Sequence, residues 1–175
     1  TVLLQDLCKL WGIDQTQILT TAKRFFDDYK RLSTLTKKQD VRLLELQIKC
    51  VLGGAASGAV IESDQEDPTL YFSYLKQYAG QLKDAKRGVV FVGPSFIFGL
   101  FGSKDMVDVE ELKGLLAAAN PDGVNVITAD KFSLKVKGQK KPVQVADVLQ
   151  VSIPGVKLDK EAVTKYFCDH GFEQS

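Results

Sequence analysis

Residues 88–102 read Gly-Val-Val-Phe-Val-Gly-Pro-Ser-Phe-Ile-Phe-Gly-Leu-Phe-Gly, and Gly88 to Phe101 is the longest strongly apolar stretch of the chain. The first part, Val89 to Val92, is a run of β-branched and aromatic residues between glycines, which is typical of a buried strand, although a buried helix segment has a similar composition. Helical periodicity dominates before this stretch, and strand and helix patterns are mixed after it. We therefore expect an α+β fold.

The second part, residues 93–102, carries five large apolar side chains between glycines and one proline. Packing inside the chain is the simplest interpretation. Docking into a partner subunit is the alternative, and it predicts a dimer or larger assembly. Contact with a bilayer is less favoured, because no Lys or Arg lies within the stretch. The candidate protein-interface residues are Phe96, Ile97, Phe98, Leu100 and Phe101.

The N-terminal half shows two helix starts. Residues 14–17 have the spacing of a capping box, and apolar residues then recur at three- and four-residue steps as far as Leu32. Residues 36–39 repeat the capping chemistry, and a second apolar periodicity continues to Gly53. This pattern predicts an αα-hairpin with a short connection.

Further helices are predicted at three places. Asp67 as N-cap with Pro68 at the first helical position begins one that continues to Leu82. Asp108 begins another that stops at Asn120, and the last runs from about Asp159 to His170. Between them, residues 124–151 favour a small antiparallel β-meander of two to four strands.

Positive and negative residues nearly cancel over the chain, with 23 Lys and Arg against 22 Asp and Glu, so any basic function must be local. Two basic regions stand out. The candidate nucleic-acid-binding residues are Lys23, Arg24, Lys30, Arg31, Lys37, Lys38 and Arg42 in the helical hairpin, and Lys131, Lys135, Lys137, Lys140 and Lys141 in the meander.

The second basic region has the alternation of a β-hairpin that turns at Gly138-Gln139. If Phe132, Leu134 and Val136 face the core, the intervening lysines share the opposite face at about 7 Å, close to the phosphate spacing of a nucleic-acid strand. Lysines on an outer strand also discourage aggregation without any ligand. Since aromatic residues are not interleaved with the lysines, the predicted binding is salt-sensitive and independent of sequence.

No motif for catalysis or for a cofactor is complete. Cys168 and His170 lie two residues apart, which points them in different directions on a helix, and the three cysteines and one histidine lack zinc spacing. The acidic residues 62–67 lack the glycine and glutamate of a calcium loop. The tract 53–58 follows a helix instead of a strand and is better suited to close packing than to phosphate binding. We expect no cofactor or metal.

Three hypotheses for the function remain. The first is a non-enzymatic protein-interaction or assembly domain, which would associate with itself or with a partner. The second is a sequence-independent nucleic-acid-binding domain. The third is an enzyme whose acidic site is built from distant residues such as Asp64, Asp108 and Asp147.

The chain length suits one domain, with two lobes at 1–87 and 88–175 as a possible subdivision. An odd number of widely spaced cysteines predicts free thiols and a cytoplasmic or other reducing compartment. No apolar run reaches the length of a membrane span. The sequence starts without Met, which indicates a fragment or a processed chain.

Overall fold

The structure, a computed structural model, describes residues 2–67 and 69–175, apart from the side chain of Leu70. The chain forms two compact units, residues 1–45 and residues 46–175. The predicted division at residue 87 is therefore not observed. Strands on both sides of that position pair in one sheet, with Gly58 beside Gly88.

The helices are α1 (Val2–Trp11), α2 (Ile18–Gly53), α3 (Thr69–Leu75), α4 (Ala79–Ala85), α5 (Val109–Ala117) and α6 (Lys160–Asp169). The strands are β1 (Gly58–Glu62), β2 (Gly88–Val92), β3 (Phe96–Phe101), β4 (Ile127–Leu134), β5 (Val143–Pro154) and β6 (Phe172–Gln174). Short 3-10 turns cover Gln15–Gln17, Lys76–Tyr78 and Lys104–Met106. None of the helices in the described ranges combines the length and apolar character needed to cross a bilayer.

One mixed sheet organises the second unit, in the strand order β4-β5-β3-β2-β1-β6. The β4–β5, β5–β3 and β3–β2 pairs are antiparallel, whereas β1 runs parallel to both β2 and β6. The predicted α+β class, the strand at Val89–Val92 and an antiparallel arrangement in residues 124–151 are confirmed. The strands β1, β3 and β6 were not predicted, so the sheet is larger than the predicted meander.

Helices cover both faces of the central strands. On one face, Val90 and Val92 of β2 join a buried cluster with residues of α5 and α6, including Leu112 and Phe167. On the other face, Tyr71 of α3 stacks on Phe91 at 4.3 Å between ring centroids. Every residue of β2 and β3 is buried, because side chains of both orientations meet a helical layer.

The predicted αα-hairpin is wrong, since α2 is one continuous helix from Ile18 to Gly53. Residues 19–52 contain neither Gly nor Pro. The Thr36 hydroxyl, interpreted as a cap, instead donates to the Leu32 carbonyl at 3.0 Å. That bond is made within a helix interior and gives no reason for the helix to stop. The predicted start is confirmed, because the Gln17 side chain accepts from the Asp14 N–H at 3.2 Å just before α2.

The third predicted helix is divided in two. Residues 76–78 form a 3-10 turn between α3 and α4, where the sequence pattern indicated one helix. Asp67 accepts a hydrogen bond from the Thr69 backbone N–H at 2.9 Å, as expected of a residue at a helix start. The predicted first helical position, Pro68, lies outside the described residues.

Two predicted helix starts are confirmed in detail. The Asp108 carboxylate accepts from the backbone N–H groups of Glu110 and Glu111 at 3.0 and 3.1 Å. Asp159 caps α6 in the same way through Glu161 and Ala162. These carboxylates satisfy donors that have no partner within the helix.

Replacing Asp108 by alanine is expected to destabilise the second unit by about 1 kcal/mol, because two N–H groups of α5 lose their acceptor. Urea denaturation followed by circular dichroism measures this loss. Asp122→Ala, at an exposed position in a turn, serves as the matched control. Equal midpoints for the two variants would contradict the capping role.

Candidate nucleic-acid interface

The seven basic residues predicted in the N-terminal half all lie on one side of α2, and together we call them the basic stripe. At about 100° per residue they fall within an arc of about 140°, over about 28 Å of helix axis. All of them are exposed: Lys23, Arg24, Lys30, Arg31, Lys37, Lys38 and Arg42. The unbroken helix is what aligns them, because a loop within 32–36 would have separated the two groups.

Acidic residues neutralise part of the basic stripe. Asp28 lies 3.5 Å from the Arg31 guanidinium, and both side chains are exposed. Asp27 and Asp40 are the other acidic residues between Lys23 and Arg42, so seven positive charges meet three negative ones. An exposed pair of this kind exchanges readily with another anion, because it contributes little free energy.

Two of the basic side chains cover aromatic rings. The Arg24 guanidinium lies 5.5 Å from the centroid of the Phe25 ring, and the Lys30 ammonium lies 4.4 Å from that of Phe26. Cation–π contacts leave the charge itself on the surface while they restrict the side chain. Both cations remain exposed and able to contact an anion.

The five lysines of the second basic region lie on the β4–β5 hairpin, which we call the lysine hairpin. Lys131 is in β4, whereas Lys135, Lys137, Lys140 and Lys141 occupy the connection of residues 135–142, and all five are exposed. The turn is where the sequence placed it, since Gln139 N–H donates to the Val136 carbonyl and Gly138 has a φ of +94°. The lysines therefore surround a loop instead of forming one row.

The predicted alternation holds over only part of the hairpin. Phe132 is buried and Leu134 is half-buried, but Val136 is exposed because strand pairing ends at Leu134 and Val143. A register shift between Ala129 and Lys131 further changes the direction of the side chains. Close by, Lys104 bonds the Asp130 carboxylate at 3.0 Å, and this contact lowers the pKa of Asp130.

Sequence reasoning missed a groove beside the lysine hairpin. It has a volume of about 540 Å³, and its lining residues are Ser73, Lys76, Gln77, Ser133, Leu134, Lys135 and Val136. The Lys76 ammonium lies 5.8 Å from the centroid of the Phe132 ring and adds a positive charge to a groove that Lys135 also lines. The sequence could not indicate that Lys76 contributes to this groove, because the contribution depends on the 3-10 turn at Lys76–Tyr78 lying close to the end of β4 in the folded chain.

The predicted protein-interface residues are in the core. Phe96, Ile97, Phe98, Leu100 and Phe101 are at most 3% exposed in β3, which pairs with β2 on one side and β5 on the other. The structure thus shows the intramolecular packing that the sequence left open, and these side chains offer no surface to a partner. Their glycine-rich pattern reflects tight contacts within the sheet.

The residues considered for catalysis are dispersed. The His170 ring contacts the Tyr166 carbonyl at 2.7 Å and Glu111 at 3.6 Å, whereas Cys168 is an exposed free thiol. Asp64 lies 3.9 Å from Lys160, and Asp147 lies 3.8 Å from Lys83, while Asp108 caps α5. Within residues 2–67 and 69–175, no group of three or more acidic, Cys or His residues is arranged to hold a metal ion.

The sequence has a distant similarity to a known enzyme. Over 111 residues, or 62% of this chain, the sequence is 28% identical to alanine–tRNA ligase of Methanocella arvoryzae. The matched region spans 12% of that enzyme's length. No protein-family model matches the chain.

Proposed function

We propose that this chain is an RNA-binding module that contacts the phosphate backbone through the basic stripe, with the lysine hairpin as an additional contact. The alignment of seven exposed cations on one side of α2 is the observation that carries the proposal. A straight array of this kind matches a polyanion better than it matches a small ligand, because a polyanion presents charges at regular intervals over the whole length.

The distant relative favours RNA over DNA as the partner. Its name, alanine–tRNA ligase, states that it joins alanine to a transfer RNA. The match covers a small part of that enzyme, so we transfer only the class of polymer. Recognition of the backbone also fits the observed surfaces, because the Arg24 and Lys30 cations lie over the Phe25 and Phe26 rings, which leaves less of these rings for stacking by bases.

The expected affinity is strongly dependent on salt. If the basic stripe, after allowance for its three acidic residues, neutralises about four phosphates, affinity between ~50 mM and ~200 mM salt falls about 50-fold for a single strand and about 150-fold for a duplex. Fluorescence anisotropy with a labelled RNA hairpin and a labelled single strand at both salt concentrations measures this slope. Undetectable binding to both RNAs at the lower salt concentration would overturn the proposal.

Charge-neutralising variants locate the contact. Lys23→Gln, Lys30→Gln and Lys37→Gln combined are expected to weaken binding about 10-fold or more at low salt and to reduce the salt slope, because three counterion-releasing contacts are lost. Lys135→Gln, Lys137→Gln and Lys140→Gln combined test the hairpin. Lys113→Gln, Lys157→Gln and Lys165→Gln combined are the control, since these exposed lysines lie outside both regions. An equal loss in the control would contradict the assigned surface.

A further inference from the structure

An apolar stripe runs along α2 on the side away from the basic stripe. Its members recur at alternating steps of three and four residues, which is the a/d spacing of a coiled coil. They are Ile18, Ala22, Phe25, Tyr29, Leu32 and Leu43. Between Leu32 and Leu43 the same spacing falls on Thr36 and Gln39.

Large side chains of this stripe are exposed in the part of the chain that the structure describes. The exposed fractions of Tyr29, Leu32 and Leu43 are 69%, 55% and 58%. Among residues 2–45, only Thr21 and Leu44 are buried. Helices rely on packing of their apolar face for most of their stability, so a unit with so little burial needs a second surface.

We propose that the apolar stripe binds the same stripe of a second copy of this chain, with the two α2 helices antiparallel. The inference is independent of RNA binding. Apart from Arg42 at its edge, the basic stripe lies on the outer side of such a pair, and its other six residues stay exposed in both copies.

The available area is sufficient for a stable pair. The exposed parts of the large side chains between residues 18 and 43 amount to roughly 600 Å² per copy, given the areas typical of aromatic and leucine side chains. Two copies then bury about 1,200 Å², above the ~1,000 Å² expected of a specific interface. A homodimer with twofold symmetry is the commonest assembly that covers such a surface.

Charges beside the stripe are complementary in the antiparallel direction. With Leu35 facing Leu35 of the partner subunit at the centre, Asp28 of one copy faces the partner's Arg42, and the same contact forms a second time by symmetry. In a parallel pair, Leu35 would lie beside the partner's Asp40, and Asp28 would meet the partner's Ser33. In the antiparallel register, Asp28 and Arg42 therefore each face an opposite charge of the partner subunit. In the parallel register, neither of them does.

The polar residues within the apolar stripe, Thr36 and Gln39, also favour the antiparallel arrangement. In the antiparallel register, Gln39 opposes the partner's Tyr29, whose hydroxyl can bond an amide, and Thr36 opposes the partner's Leu32. A parallel register places Gln39 against the partner's Gln39 and Tyr29 against the partner's Tyr29. Pairs of one larger and one smaller side chain fill the space between the two helices more evenly than pairs of identical side chains do.

Oligomeric state provides the first test. Sedimentation equilibrium of the full chain at tens of micromolar is expected to give a dimer, and Tyr29→Ser combined with Leu32→Ser is expected to give a monomer with unchanged thermal unfolding of the second unit. Ile127→Ser combined with Val136→Ser is the control, because these exposed apolar residues lie on the lysine hairpin. A monomeric wild-type chain, or a stripe variant that stays dimeric, would overturn the proposal.

Disulfide cross-linking tests the direction. Cys8, Cys50 and Cys168 are first replaced by serine, and Tyr29→Cys and Gln39→Cys chains carrying different tags are mixed. These positions are about 15 Å apart along one helix, so a cross-link between them requires antiparallel helices. We expect disulfides between the two kinds of chain. Disulfides between identical chains, or no cross-link, would contradict this register.

Discussion

Replacing Phe98 by serine is expected to unfold the second unit. The side chain is fully buried, and its ring centroid lies 4.1 Å from that of Phe72 in α3. Removing a buried phenylalanine costs about 3–5 kcal/mol, and the new hydroxyl has no strand partner because both neighbours use their backbone groups in the sheet. A total near 5 kcal/mol equals the whole stability of many domains.

Circular dichroism and urea denaturation of Phe98→Ser measure this loss directly. Ile127→Ser is the matched control, since Ile127 is half exposed on the edge strand β4, and we expect its midpoint to change little. A Phe98→Ser chain that stays folded but loses an oligomeric contact would instead support the interface predicted from the sequence.

The second large effect is expected at Gly58, where β1 begins. A Cβ atom placed there would lie 2.2 Å from the Gly88 carbonyl oxygen and 2.4 Å from a carbon of the Phe172 ring. The neighbouring strand backbone cannot move without breaking its pairing with β1. Gly58→Ala should therefore destabilise the second unit by about 3 kcal/mol or more.

Gly114→Ala is the same chemical change, but it is expected to have the opposite effect on the stability of the second unit. No atom lies within 4 Å of a Cβ at that position, which is in the interior of α5. Alanine favours a helix over glycine by about 0.5–1 kcal/mol, so this variant should be stabilised. Urea midpoints that shift in the same direction for the two variants would contradict the close contact at Gly58.

The sequence predicted the elements whose signals are local. Asp108 and Asp159 identify helix starts because the same side chains make the capping bonds in the structure. The run from Val89 to Val92 identifies a buried strand because helical layers cover both of its faces. The tract at 53–58 was interpreted as a region of close packing, and the contacts around Gly58 agree with that interpretation.

Errors occurred where a local signal had two physical outcomes. A threonine followed by polar residues can begin a helix or lie within one, and Thr36 does the second by donating to the preceding turn. The strands β1 and β6 were missed because each is short and gains its order from a parallel neighbour distant in sequence. The groove at Lys76 was missed for the same reason, since two separate segments form it.

The sequence indicated that the basic residues of the candidate site would be exposed, but it did not indicate their arrangement in space. All twelve basic side chains are exposed, as a binding surface requires. Their arrangement depended on whether α2 is continuous and on where strand pairing in the hairpin ends. The residue types alone indicate neither the continuity of α2 nor the point at which the strand pairing ends.

The place of β6 in the sheet has a consequence for synthesis on the ribosome. Gly58 of β1 lies in register with Phe172 of β6, more than one hundred residues further along the chain. Until that segment emerges, the outer edge of β1 has no neighbour, and the aliphatic residues at 59–61 remain a template for another nascent strand. We expect this edge to be the segment that most needs a chaperone before the last strand arrives.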